Sequence, residues 1–405
     1  MDKIVITNFY PVYPFIHGGQ RRIFFLAREL ARDYSVTLLT LVRGEQLKYL
    51  ELDRGLTEIQ VPAGRQYQDS ERALIGDNYM LSDAAYTLHW KQCQLYQGVL
   101  RDQIRGSRLA ISEHPYSFYA IQGAKRRTST VPVLYNSQNV EVTQKEAVLA
   151  GREELFPVIR AIESAMVAEC AAIVACTEFD RAKFVSEYSI SPNKVTVIEN
   201  GVDSSAVPSV SPERREEFRR RLGLENRFTA IFGGSLHFPN LAAVESILAI
   251  APLLPDVVFI ILGTVCVCPA LQGIVPPNVL PLGYVPEAEK WLAYAVSDVA
   301  LNPMSLGSGS NIKMFEYAAA GLPTLSTDFG ARGTGMRQGV HYCEAKLDDF
   351  ASGLADLAHL DRQTLSQVGS AARDFARETS DWRVIGKRYR ALVSALIGRS
   401  APVVN

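Results

Sequence analysis

Short apolar, β-branched runs alternate with amphipathic helical stretches along nearly all of this chain, and that alternation constrains its fold more than any other feature. Strands separated by helices do not form tight hairpins. They pair in parallel, each reached by a crossover helix packed on the sheet. The spacing predicts strands at 3–7, 35–41, 108–112, 131–136, 172–176 and 194–198. A second series follows at 228–233, 257–263, 279–282, 299–302 and 324–327. The run Val257 to Leu262 has no polar face, the pattern of a strand covered on both sides. Between the first two strands, Ile23, Leu26, Ala27 and Leu30 form one helical stripe.

Eleven strands are many for one such sheet, and 405 residues exceed one ordinary core at about 150 residues per domain. The natural break is Asn200 to Pro212, rich in Asn-Gly, Ser and Pro. The expectation is an α/β chain of two Rossmann-like domains with a cleft between them. Residues 1–203 form the first domain and 204–380 the second. Residues 381–405 supply a terminal helix, apolar at Trp382, Ile385, Tyr389, Leu392 and Leu396, that packs back on the first domain. Ligands in such sheets sit at the carboxyl ends of strands, beside glycine turns and helix N-termini.

Composition excludes several classes. Hydrophobic residues at 47% and charged residues at 21% argue against a disordered chain. Lys+Arg 42 against Asp+Glu 43 leaves no global basic field, so no nucleic-acid partner is expected. Six sparse cysteines fit no zinc spacing and suggest a reduced compartment. The N-terminus reads as a first strand rather than a signal peptide. The most apolar stretch, Val257 to Val275, is broken by Gly263, Pro269 and Gly273. That leaves it short of the about 20 apolar residues a membrane-spanning helix needs. Lys125-Arg126-Arg127 is a short basic patch, read as solvated surface.

Four places could carry chemistry. Gly307-Ser308-Gly309-Ser310-Asn311 follows the strand at 299–302 and opens a helix holding Lys313 and Glu316. Free N–H groups and the helix dipole make such a turn an anion cradle. Lys313 in the first turn is unfavourable to the dipole unless an anion is bound. Glu316, three residues on, lies on the same face and could take a ribose diol. A capped surface helix with a Lys–Glu pair fits the same residues. Gly18-Gly19 at the start of the first helix allows a second close backbone approach, without the GxGxxG spacing of dinucleotide enzymes. His114, just past the strand at 108–112, could contact a substrate hydroxyl, although a lone histidine is more often structural. Gly233-Gly234-Ser235 with His237-Phe238-Pro239-Asn240 forms the fourth place, Pro239 opening the next helix.

Taken together these segments resemble the GT-B-fold retaining glycosyltransferases of family 4, also called glycosyltransferase group 1. His17-Gly18-Gly19-Gln20-Arg21 looks like the family's first glycine loop. Gln138-Asn139-Val140-Glu141 looks like its His/Gln-Asn-x-Glu segment, and Asn200-Gly201-Val202-Asp203 like its NGVD signature. Gly307–Gly321 with Glu316 is similar to its donor motif.

The resemblance implies sugar transfer from a nucleotide-sugar (UDP-, GDP- or TDP-linked) to a saccharide or lipid-linked saccharide hydroxyl. It implies retained configuration, no metal and no cofactor, in glycan or polysaccharide biosynthesis. It assigns catalysis to His114, Lys313 and Glu316. Donor contacts fall to Gly18, Gly19, Gly234, Ser235, Gly307, Ser308, Gly309, Ser310 and Asn311, and the acceptor side to His17, Arg21, Asn139 and Glu141. The expected location is the cytoplasm, with peripheral contact at the inner face of a membrane left open. The chain departs from the pattern in three places: Ser308 stands where the family has a first Glu, and Ser235 and Asn240 where it has Arg and Lys. Lys313 is then the surviving phosphate cation. These departures keep open a non-catalytic nucleotide-sugar-binding subunit; a nucleotide-sugar epimerase is a third reading of the same fold, for which the sequence offers no clear pair of acid/base carboxylates.

Overall fold

The computed structural model describes residues 1–76, 78–125, 130–149, 151–307 and 309–398. Ser308, and Arg126 and Arg127 of the basic patch, lie outside the described residues. The chain divides into two compact units, Met1–Ile198 with Ile385–Asn405, and Glu199–Val384. The Asn200–Pro212 segment thus belongs to the second unit, where Val202 bridges to Asp381.

The first unit is built on β1 (Lys3–Asn8), β2 (Ser35–Val42), β3 (Lys48–Asp53), β4 (Leu56–Pro62), β5 (Ser107–Ser112), β6 (Val133–Asn136), β7 (Ala172–Ala175) and β8 (Val195–Val197). They run in the order β3-β4-β2-β1-β5-β6-β7-β8. All pairs are parallel except β3 with β4. The strand–helix pattern misses this antiparallel hairpin. β3 is a mostly exposed edge strand, so its sequence, Lys-Tyr-Leu-Glu-Leu-Asp, carries no continuous apolar run. The turn between the two strands depends on Gly55 at φ 78°, a left-handed conformation that costs glycine nothing.

The helix Trp382–Leu396 joins the first unit from Ile385 onward. It buries Ile385, Tyr389 and Val393, while Leu392 and Leu396 stay only half-buried. Gly386 packs directly on the helix Gly18–Leu30: a Cβ there would stand 2.3 Å from Glu29 Cγ. Arg390 pairs with Asp33 at 3.1 Å.

The second unit contains β9 (Phe228–Gly233), β10 (Val257–Leu262), β11 (Val279–Gly283), β12 (Val299–Asn302), β13 (Thr324–Ser326) and β14 (Cys343–Glu344). Their order is β11-β10-β9-β12-β13-β14, every pair parallel. β10 shows why its run is apolar throughout. Val257, Phe259 and Ile261 enter one core and Val258, Ile260 and Leu262 the other, on opposite faces of the sheet. Because the strands are parallel, the loops after β9, β12 and β13 leave from the same edge, where the candidate residues collect. Among the described residues no helix is long and apolar enough to cross a membrane.

Candidate active site

In the second unit, the helix Ile312–Ala320 begins at Asn311, whose side chain does not cap it. The Asn311 amide instead donates to Gly330 O at 2.8 Å. Gly307 (φ 123°) and Gly309 (φ 61°) take conformations that disfavour a side chain, which shapes the turn ahead of the helix. Ser310 accepts from Asn200 Nδ2 at 3.1 Å, so the Asn-Gly segment braces this loop.

Lys313 and Glu316 do not pair with each other as their spacing suggests. Lys313 Nζ donates to Asn240 Oδ1 at 2.7 Å and lies 4.1 Å from the centre of the Phe232 ring. Burial pushes its ammonium down to about 7, only partly offset by the Glu316 charge. Glu316 is gripped from another helix, Glu287–Val296: Lys290 Nζ lies 2.8 Å from Oε1 and Tyr294 hydroxyl 3.2 Å from Oε2. No local signal marks Lys290, which stands 26 residues before its partner. Asn240 also donates to Ser235 O at 2.8 Å, and a Cβ on Gly234 would crowd Asn240 Cγ at 3.1 Å. Gly234, Ser235, Asn240 and Lys313 are therefore one packed group, in which the expected donor contact Ser235 presents its carbonyl to Asn240.

In the first unit, His17 caps the helix Gly18–Leu30, and Gln20 closes the reciprocal bond with its Oε1 3.2 Å from His17 N. A Cβ on Gly19 would fall 2.4 Å from Gln138 Oε1, so the glycine loop and the Gln138–Glu141 segment touch. Arg21 stacks over Phe15 at 4.9 Å, and Asn139 is half-buried with its carbonyl accepting from Ser137.

His114 is held on both ring nitrogens. Glu141 Oε1 lies 3.1 Å from Nδ1 and Tyr10 hydroxyl 3.0 Å from Nε2. A carboxylate only accepts, so Nδ1 carries hydrogen and Nε2 faces Tyr10. Burial opposes charge on Glu141, but His114, Lys145 and Tyr116 outweigh it and hold the carboxyl below the usual range. Tyr116 hydroxyl donates to Glu141 Oε2 at 2.6 Å. Behind it, Glu163 accepts from the backbone N–H groups of Glu141 (2.9 Å) and Val142 (3.0 Å) and from the hydroxyls of Tyr135 and Tyr188. It anchors the helix Glu141–Val148 from the helix Phe156–Glu169. Glu113, beside His114, is buried and pushed up to about 7 by that burial, with Asn136 Nδ2 3.0 Å from both oxygens. Sequence reasoning assigns no role to Tyr10, Tyr116, Glu113 or Glu163, because their buried polar partners lie more than 20 residues away along the chain.

Residues 16–206 match the family model for glycosyltransferase family 4, and residues 227–359 the model for group 1 glycosyl transferases. The chain belongs to the family 4, group 1 type of glycosyltransferase. This glycosyltransferase is 28% identical over 319 residues to a D-inositol 3-phosphate glycosyltransferase of Gordonia bronchialis, spanning 71% of this chain and 67% of that one. Its fold is GT-B. It superposes on sucrose-phosphate synthase of Thermosynechococcus elongatus with TM-score 0.76 at 13% identity, covering 98% of this chain and 100% of that one. On Anabaena HepE in complex with UDP-glucose the TM-score is 0.70 at 13% identity, with 97% and 99% covered.

Proposed function

We propose that this glycosyltransferase moves a sugar from a nucleotide-sugar to a saccharide or lipid-linked saccharide hydroxyl, with retention and without a bound metal, in glycan or polysaccharide assembly. The observation that carries the reading is the start of the helix Ile312–Ala320. An ammonium aimed by Asn240, a glycine turn and a helix N-terminus without a side-chain cap stand one turn from the carboxylate Glu316. Such a group suits a diphosphate followed by a ribose diol. The UDP-glucose complex of HepE fits it, as does the trehalose-6-phosphate protein of E. coli bound with UDP-2-fluoro glucose.

In the proposed step the acceptor oxygen bonds the anomeric carbon as its bond to the diphosphate oxygen breaks. The acceptor proton passes to the departing phosphate on the same face, so no protein nucleophile is needed. Negative charge grows on the leaving group, and Lys313 with the helix N–H groups would stabilise it. His114, kept in one tautomer by Glu141, would contact the sugar.

A panel of UDP-, GDP-, TDP- and ADP-sugars tests the donor. The right one should raise the melting temperature by mass action and release its nucleoside diphosphate when acceptor is added. Proton NMR of the product reports the anomeric configuration, and turnover in chelator reports metal independence. Inversion, or activity lost in chelator and restored by a divalent ion, would remove that part of the reading. Donor binding without turnover on any acceptor would favour the non-catalytic subunit, which Ser308, Ser235 and Asn240 in the sequence motivate.

A further inference from the structure

The sequence leaves the anion cradle short of cations, because Ser235 and Asn240 replace two basic residues of the family pattern. The tertiary structure brings another one to the glycine turn. The loop after β13 is pulled tightly onto the end of β12. Thr327 Oγ1 donates to Met304 O and accepts from Gly330 N at 2.9 Å, and Asn302 Nδ2 donates to Ser326 Oγ at 3.0 Å. Gly330 is needed for this approach: a Cβ there would stand 2.5 Å from Asn302 Nδ2 and 2.6 Å from Ser326 Oγ. Asn311 fastens the other side by donating to Gly330 O.

Arg332 follows directly. Its guanidinium carbon lies over the Phe329 ring, 3.7 Å from the centre, with Nη1 donating to Phe329 O at 2.6 Å. These two contacts hold the guanidinium in place. Its Nη2 edge comes to the glycine turn, 3.5 Å from where a Cβ on Gly307 would stand. The same point lies 3.4 Å from Pro239 Cγ, in the first turn of the Asn240 helix.

We propose that Arg332 is a binding residue for the donor diphosphate, supplying at Gly307 positive charge that Ser235 and Asn240 do not. This rests on the nucleotide-sugar reading above. A guanidinium presents two parallel N–H groups to a phosphate, and stacking on an aromatic ring orients it in advance. Lys313 and Arg332 then address the diphosphate from different elements, the helix start and the loop after β13.

The test measures binding of a nucleoside diphosphate (whichever of UDP, GDP, TDP and ADP the wild type takes), of its parent nucleoside and of inorganic pyrophosphate. Calorimetry compares the wild type with Arg332→Ala, Arg332→Lys and Lys313→Ala, with melting curves to verify folding. Arg332→Ala should weaken the diphosphate and pyrophosphate by about tenfold or more, while the nucleoside stays within about twofold. Arg332→Lys should recover part of the loss. Diphosphate affinity unchanged in Arg332→Ala but lost in Lys313→Ala would overturn the role of Arg332 alone. Equal weakening of nucleoside and diphosphate would make Arg332 a structural support and overturn it too. A wild type that binds none of the four diphosphates would sink the donor reading and this proposal with it. Should Arg332→Ala fail to fold, Arg332→Gln replaces it, and diphosphate affinity within about twofold of wild type there would overturn the proposal.

Discussion

Asn240 Oδ1 accepts from Lys313 Nζ at 2.7 Å, a neutral acceptor beside an ammonium at the mouth of a helix. A carbonyl oxygen steers the ammonium without cancelling its charge, so the positive potential stays available to an anion. Asn240→Asp should reverse this. The new carboxylate would neutralise Lys313 and repel a diphosphate, weakening nucleoside diphosphate binding by about tenfold or more in calorimetry. Affinity equal to wild type would show that Lys313 does not meet the phosphates.

Titration of Lys313 should appear in the binding curve. Burial lowers its ammonium to about 7 in the free protein, and a bound diphosphate would favour the charged form. Below about 7 the proton is already in place. Above it, binding must take a proton up, so affinity should fall with rising pH, by at most about tenfold per unit. Calorimetry at pH 8 in two buffers of different ionisation enthalpy should register proton uptake, and Lys313→Ala should abolish it. A flat profile between pH 7 and 9 would contradict the assignment.

Lys290 and Glu316 form a largely buried pair, 2.8 Å apart, with side chains 12% exposed on each side. Removing the cation leaves a carboxylate with Tyr294 alone from its present grip. Lys290→Met should therefore destabilise the second unit by about 3 kcal/mol in urea unfolding. A cost under about 1 kcal/mol would mean that solvent replaces the pair.

Glu141→Gln separates the two units' contributions. The amide retains the shape but loses the charge that holds the His114 tautomer. Turnover should drop by about tenfold or more. Nucleoside diphosphate affinity should hold, because the residues that bind it in the proposed reading are Lys313, Glu316 and Arg332 of the second unit. A matching loss of diphosphate affinity would place Glu141 in the donor site instead.

Much of the fold was legible because strand periodicity and burial are local. The apolar run of β10 predicts a strand covered on both faces, and Pro239 and the Gly307 turn predict helix starts where the structure has them. The hairpin β3–β4 was hidden, since an edge strand need not alternate or be apolar. Residues near one another in the chain were good guides to loops and caps, and poor guides to ionic partners. Lys313 and Glu316, on one helix, turn to different neighbours.

By itself the sequence determined two strand–helix α/β units, glycine turns at strand ends, and a cradle with one evident cation. The strand order β11-β10-β9-β12-β13-β14 decided the rest. Setting β9 beside β12 brings Asn240 to Lys313, and setting β13 on the other side of β12 brings Arg332 to Gly307. In the first unit, packing of the β5 and β6 loops brings His114 to Glu141. A side chain's hydrogen-bond partner depends on which elements lie side by side. That is a property of the folded sheet, and no spacing along the chain encodes it.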